Sequence, residues 1–164
     1  MNRTSLLLKI SLPVIALDHA TKYLIEHRTP EDWVYAVIPG FFDLVHRHNR
    51  GVAFSMLASF EGPWLTPALI TFSLLMIGFM VWMLGTPHAG SARSRFGLAL
   101  ILSGAAGNVF DRILRGSVID FADFYLGTHH WPAFNVADSA IFIGACLVIF
   151  ELLFAKENIE KSGR

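Results

Sequence analysis

From Trp64 to Leu84 the chain runs for 21 residues without a charged side chain. A helix of that length reaches about 32 Å, enough to cross a hydrocarbon layer of roughly 30 Å. Pro67 falls in its first turn, where a missing N–H does no harm. A helix apolar on every side has no stable place at a water-facing surface, so the segment confines the fold to one built in a bilayer. Composition agrees: of 164 residues, 54% are apolar and 16% charged, against about 25% charged in soluble domains. The 13 basic and 13 acidic residues cancel, which leaves no basic excess for nucleic acid. Disorder is excluded by the same apolar content. Cys146, the one cysteine, has no internal partner; mid-way along an apolar run, it is expected to be a buried structural thiol.

Three further spans are expected. Phe96–Arg115 is apolar but ends in Asn108, Asp111 and Arg112, and its middle, Ser103 to Gly107, is a run of small residues. Such runs let membrane helices approach closely. Phe134–Ala155 is the last span, and Ser5–Glu26 the first, although Lys9, Asp18 and Lys22 interrupt it. A cleaved signal peptide is the rival for that first segment, disfavoured because Lys9 breaks its apolar region. The expectation is therefore one all-α integral membrane domain over residues 1–164, with helices at about 5–26, 64–84, 96–115 and 134–155. Between the first two lies an insertion of about residues 27–62, where Phe41 to Phe54 is rich in β-branched and aromatic residues and suggests strands. Four spans put both termini on one side. That side collects Arg3, Lys9, Arg93, Arg95, Lys156, Lys161 and Arg164, against Arg28, Arg47, Arg50 and Arg115 opposite. The termini are thus expected in the cytoplasm and the insertion outside it.

Ionisable groups in membrane helices need a partner or a task. Asp18 and Lys22 stand at i, i+4 with the acid first, the favourable order for a helical ion pair. Asn108, Asp111 and Arg112 share one helix face. Asp120 follows the third span and Asp138 opens the fourth, which places both near the outer membrane face. Two carboxyl groups close together cannot both ionise, so one becomes an acid and the other a base. Such a pair can activate water against a peptide carbonyl. A proton-coupled transporter using Asp111 and Asp138, or a purely structural polar network, fits the spacing as well. A metal centre fits worse. His46 and His48 alternate as strand neighbours but have no third ligand nearby in sequence, and His129-His130 is adjacent. Ser5 and Lys9 have the spacing of a Ser–Lys pair with nothing to orient them. No nucleotide-binding glycine motif occurs. No metal and no cofactor are expected.

Four stretches then resemble one family: Asp18-His-Ala-Thr21-Lys22, Asn49-Arg-Gly51-Val-Ala53-Phe54-Ser55, Gly107-Asn108-Val-Phe-Asp111-Arg112 running on to Gly116 and Ser-Val118-Ile-Asp120-Phe121, and Phe134-Asn135-Val-Ala137-Asp138-Ser-Ala-Ile141. In this order they are similar to the sequence blocks of lipoprotein signal peptidase (signal peptidase II). The resemblance implies an aspartyl endopeptidase of the bacterial cytoplasmic (inner) membrane. Its substrates would be prolipoproteins carrying a diacylglyceryl-cysteine, cut just before that cysteine. It puts the catalytic aspartates on Asp120 and Asp138 and the substrate and inhibitor contacts on Asn49, Asn108, Arg112 and Asn135. Asp18, Lys22, Gly51 and Asp111 become supporting residues. Cyclic-peptide antibiotics of the globomycin type are the implied inhibitors. His19, Val52 and Ser103 depart from the usual residues, and Val52 bears on fine substrate preference.

Overall fold

A computed structural model describes residues 3–51, 63–86 and 91–162. Val52, and the block residues Ala53, Phe54 and Ser55, lie outside this set. Four helices are present: α1 (Arg3–Arg28), α2 (Leu65–Gly85), α3 (Ala92–Arg115) and α4 (Val136–Ser162). Three of them, α2, α3 and α4, are long and apolar enough to cross a membrane. Helix α1 has the length, 26 residues or about 39 Å, but its charged residues keep it below that standard of composition. The apolar helices present Phe72, Leu75 and Trp82 on α2 and Phe142, Leu152 and Leu153 on α4 to the surroundings. That is the reverse of a water-soluble surface and suits lipid. Cys146 is also exposed on α4, which corrects the expected buried thiol. An apolar run around a residue signals a buried site in water, but inside a bilayer the same run can face acyl chains.

The insertion supplies strands β1 (Val34–Ile38) and β2 (Phe42–Asn49). Strand β3 (Val118–Leu126) and the short β4 (His129–His130) come from the connection between α3 and α4, where the sequence reading places no strand. The four form one antiparallel sheet in the order β1-β2-β3-β4. The composition of β3, Val-Ile-Asp-Phe-Ala-Asp-Phe-Tyr-Leu, is strand-like throughout. The segment before α4 is held to the same strand, since Phe134 and Ala122 exchange backbone hydrogen bonds of 2.9 and 3.0 Å. Pairing of β2 with β3 is interrupted once. Leu44 lies opposite Ala122, but Arg47 lies opposite Asp120, so β2 carries one extra residue there. Such a bulge reverses which side chains of β2 share a face with β3.

Helix α3 is central, packed between α1 and α4 and touched by α2. Ser91 caps its start, accepting the Ser94 N–H at 3.3 Å. Gly116 ends it in the left-handed conformation at φ 73°, with its N–H on the Arg112 carbonyl. The small residues expected to allow close approach do so. A Cβ on Gly104 would collide with the Ala137 carbonyl of α4. Ser103 Oγ meets Ser11 Oγ of α1 at 2.9 Å. Where α2 joins, Leu84 packs against Leu98 together with Met80 and Leu102.

Gly104→Leu is expected to lower the midpoint of thermal unfolding in detergent, at a cost of about 1–3 kcal/mol or more from overpacking. Gly78→Leu on α2, where a Cβ meets open space, serves as the comparison and leaves the midpoint near that of the unchanged protein.

Candidate active site

The polar centre starts from one lysine. Lys22 is 1% exposed, deep among helices, where an unpaired ammonium could not persist. Its Nζ donates to Asp18 Oδ2 at 2.8 Å, Asp111 Oδ2 at 2.7 Å and Asn108 Oδ1 at 3.1 Å. Three N–H donors thus meet three acceptors. The other oxygen of Asp18 accepts the Ala137 N–H at 2.9 Å, one of the donors left open in the first turn of α4. The other oxygen of Asp111 takes Arg115 at 3.4 Å. Helices α1, α3 and α4 are therefore tied at a single point.

The start of α4 is set by Asn135. Its Oδ1 accepts the Asp138 N–H at 2.9 Å, while Asp138 Oδ2 accepts the Asn135 N–H at 3.3 Å. This is a reciprocal capping box with aspartate in the third helical position. The Asn135 amide nitrogen faces the other way, donating to Asp120 Oδ1 at 2.8 Å and to the Ile119 carbonyl at 3.3 Å. One side chain therefore caps the helix that carries Asp138 and holds the strand residue Asp120. Asn108 of α3 donates to Asp138 Oδ1 at 2.8 Å, and Asn49 of β2 donates to Asp120 Oδ2 at 2.9 Å. Every oxygen of Asp120 and Asp138 has a neutral donor. Both aspartates come from different elements, and both are oriented by asparagines that add no charge.

Asp120 is 3% exposed. Burial, and next the negative charge of Asp138, push its carboxyl up to about 7, against the hydrogen bonds from Asn49 and Asn135. A carboxyl group so placed keeps its proton at pH values where an exposed aspartate has lost it.

Arg112, the third member of the α3 trio, keeps its Nη1 on the Asn108 carbonyl at 3.5 Å and extends towards the end of β2. Its Nη2 donates to the Gly51 carbonyl at 2.9 Å, while its buried Nε has no hydrogen-bond partner. Gly51 is held from a second side, its N–H donating to Asn49 Oδ1 at 2.9 Å. The sequence-expected residues thus form one connected set: Asp18, Lys22, Asp111 and Asn108 on the helix side, Asn49, Gly51 and Arg112 on the sheet side, and Asn135 with the two aspartates between. Asp111 is engaged by Lys22 and Arg115.

Two groupings were not foreseen. Asp123, 1% exposed, meets His130 Nδ1 at 3.1 Å and Arg47 at 3.5 Å, so the His129-His130 pair has an acid partner. Glu26 on α1 lies beside His46 and His48, with one donor atom from each within 4.8 Å of the others. No sequence spacing signals that third residue, because it is twenty positions upstream of His46 on a different element.

Comparison with known proteins gives one answer. The family model for signal peptidase (SPase) II matches residues 10–154. The lipoprotein signal peptidase of Solibacter usitatus is 47% identical over 145 residues, covering 88% of each chain. That of Vibrio cholerae is 38% identical over 168 residues, covering 96% of this chain and 97% of the relative. A solved bacterial membrane enzyme superposes with a TM-score of 0.83 at 29% identity, covering 93% of this chain and 90% of its own. A second such structure gives 0.80 at 28% identity.

Replacing Lys22 by Met should strand two buried carboxylates. A loss of about 3–5 kcal/mol is expected, read as a lowered thermal midpoint in detergent; an unchanged midpoint would show that the ammonium does not hold the helices.

Proposed function

This chain belongs to the signal peptidase II family, and on that footing we propose that Asp120 and Asp138 are the catalytic pair with which it removes signal peptides from prolipoproteins. It is an aspartic endopeptidase and a multi-pass protein of the inner membrane. The observation that carries the assignment is the bridge through Asn135, which bonds Asp120 through its amide and Asp138 through a capping box.

The carboxyl of Asp120 is pushed up to about 7, so in the free enzyme one proton is shared by the pair. Its ionised member takes a proton from water as the oxygen adds to the scissile carbonyl. The protonated member gives its hydrogen to the carbonyl oxygen, forming a neutral tetrahedral diol. On collapse the protonated member gives its hydrogen to the departing nitrogen as the C–N bond breaks, the other takes one from a diol hydroxyl as the C=O re-forms, and the pair again holds one proton. Asn49, Asn108 and Asn135 each donate one amide hydrogen to an aspartate, so we assign them a positioning role. Arg112 keeps a free buried Nε–H and is the group assigned to a substrate carbonyl.

The remaining features follow from a lipid-bound substrate. Asp18 and Lys22 neutralise each other inside the protein, which lets α1 serve as a fourth span despite its charges. With four spans both termini lie in the cytoplasm, and the sheet and aspartates lie at the outer face. The whole chain, residues 1–164, is one domain in this reading. A peptide whose cysteine carries diacylglyceryl then stays in the bilayer and enters the site sideways. Cyclic peptides of the globomycin type would occupy the same place.

Asp120→Asn and Asp138→Asn are each expected to leave a folded membrane protein with cleavage of a diacylated prolipoprotein reduced at least about 10³-fold, as for removal of a group acting within a unit. Wild-type-like cleavage by either purified variant would refute the pair. Because the carboxyl of Asp120 is raised and not lowered, the one-proton state extends upward to about 7. Accordingly kcat/KM should fall as pH rises through that value, the break belonging to the pair as a whole. A rate that climbs across the same range would assign the proton wrongly.

A further inference from the structure

On the face of β2 away from Asn49, three side chains converge that the proteolytic reaction does not use. His46 and His48 alternate with Arg47 and Asn49 and so point together; their ring centroids are 5.2 Å apart. Glu26 reaches them from the last turns of α1. His46 is 3% exposed. Its Nδ1 lies 3.2 Å from the Thr29 carbonyl and 3.1 Å from Thr29 Oγ1. The Thr29 hydroxyl donates its own hydrogen to the Ile25 carbonyl at 2.8 Å. A carbonyl can only accept, so the His46 hydrogen sits on Nδ1 and the lone pair on Nε2. That Nε2 is buried and has no hydrogen-bond partner, and neither has the buried Oε2 of Glu26. His48 is held through Nδ1 as well, at 3.0 Å from Ser117 Oγ, a hydroxyl that can donate or accept.

Two imidazoles held at Nδ1 by oxygen and standing beside a carboxylate match the way proteins orient histidine towards a metal. Glu26 also stands near the C-terminal end of α1, where the helix dipole disfavours a carboxylate that lacks a cation. Hence we propose that Glu26, His46 and His48 bind one divalent transition-metal ion of the zinc class, which clamps the end of α1 to β2. Two nitrogens and one oxygen suit such an ion, with water as fourth ligand. Donors at about 2.1 Å from one ion lie about 3.4 Å apart in a tetrahedron. The three atoms, now within 4.8 Å, close on the ion by a shift of about 1 Å, which torsions of the Glu26 side chain can supply. Water and ion enter from an adjoining open cavity of about 520 Å³, lined by Glu26, Glu31, His48, Arg50 and Ser117 among others. Arg115, also on that cavity, is held by Asp111. The clamp fixes β2 one residue from Asn49 and leaves proteolysis to the aspartates.

The test uses the full chain in detergent, with any histidine tag removed and the protein stripped by EDTA. Titration with Zn²⁺ should show one equivalent bound at micromolar or tighter Kd, with a rise in thermal midpoint. Co²⁺ should give a visible band that Zn²⁺ displaces. Glu26→Gln and His48→Ala, both at half-buried positions, should each weaken Zn²⁺ binding at least about tenfold, whereas Asp120→Asn binds as the unchanged protein does. No uptake of either ion at micromolar concentration would overturn the proposal. Undiminished binding in the Glu26→Gln/His48→Ala double variant, or binding lost with Asp120→Asn, would overturn it too.

Discussion

The polar ties between α1, α3 and the start of α4 centre on the ammonium of Lys22. Buried among helices, away from water, a lysine must find all its acceptors in the protein. Lys22 finds Asp18 on its own helix and Asp111 and Asn108 on α3. The carboxylates it neutralises are then free to act elsewhere, Asp18 on the first turn of α4 and Asp111 on Arg115. Asn108 links this node to the site: its oxygen faces Lys22 and its nitrogen faces Asp138. Position and charge at the aspartates are thus set by an ion cluster one residue away from the chemistry.

Stability and function share atoms here. The capping box that starts α4 needs a short acceptor at Asn135 and a carboxylate three residues on, and Asp138 supplies the latter. The same carboxylate is a member of the proposed catalytic pair. Because backbone and side-chain donors hold it, Asp138 cannot swing between rotamers without opening the helix. Asp120 is fixed differently, by a strand register and two asparagine amides. A rigid helix end and a rigid sheet therefore meet with little freedom left, as a reaction that depends on proton position requires.

Much of this was legible from residue order. The apolar segments and their ends come close to α2, α3 and α4, because a run without charge has few other homes than lipid. Scarce acids and amides marked the site, since each such group in an apolar chain needs a reason. Strand β3 was not foreseen even though its residues are strand-like, because a stretch between two spans reads as a linker until its partner strand is known. The exposure of Cys146 escaped for a related reason: lipid-facing and core-facing apolar positions have the same composition.

What the sequence determined by itself was the solvent, the apolar segments and which carboxyl groups are candidates for the chemistry, all properties of residue type and local order. The tertiary structure decided which side chains share a face. In a regular ladder continuing from Leu44 opposite Ala122, His46 and His48 would lie opposite Asp120 and Val118. One extra residue in β2 instead puts Arg47 and Asn49 there, so a neutral amide reaches Asp120 and the histidines meet Glu26 on the other side. Residue alternation has a period of two along each strand, but the phase between strands is set only when they pair.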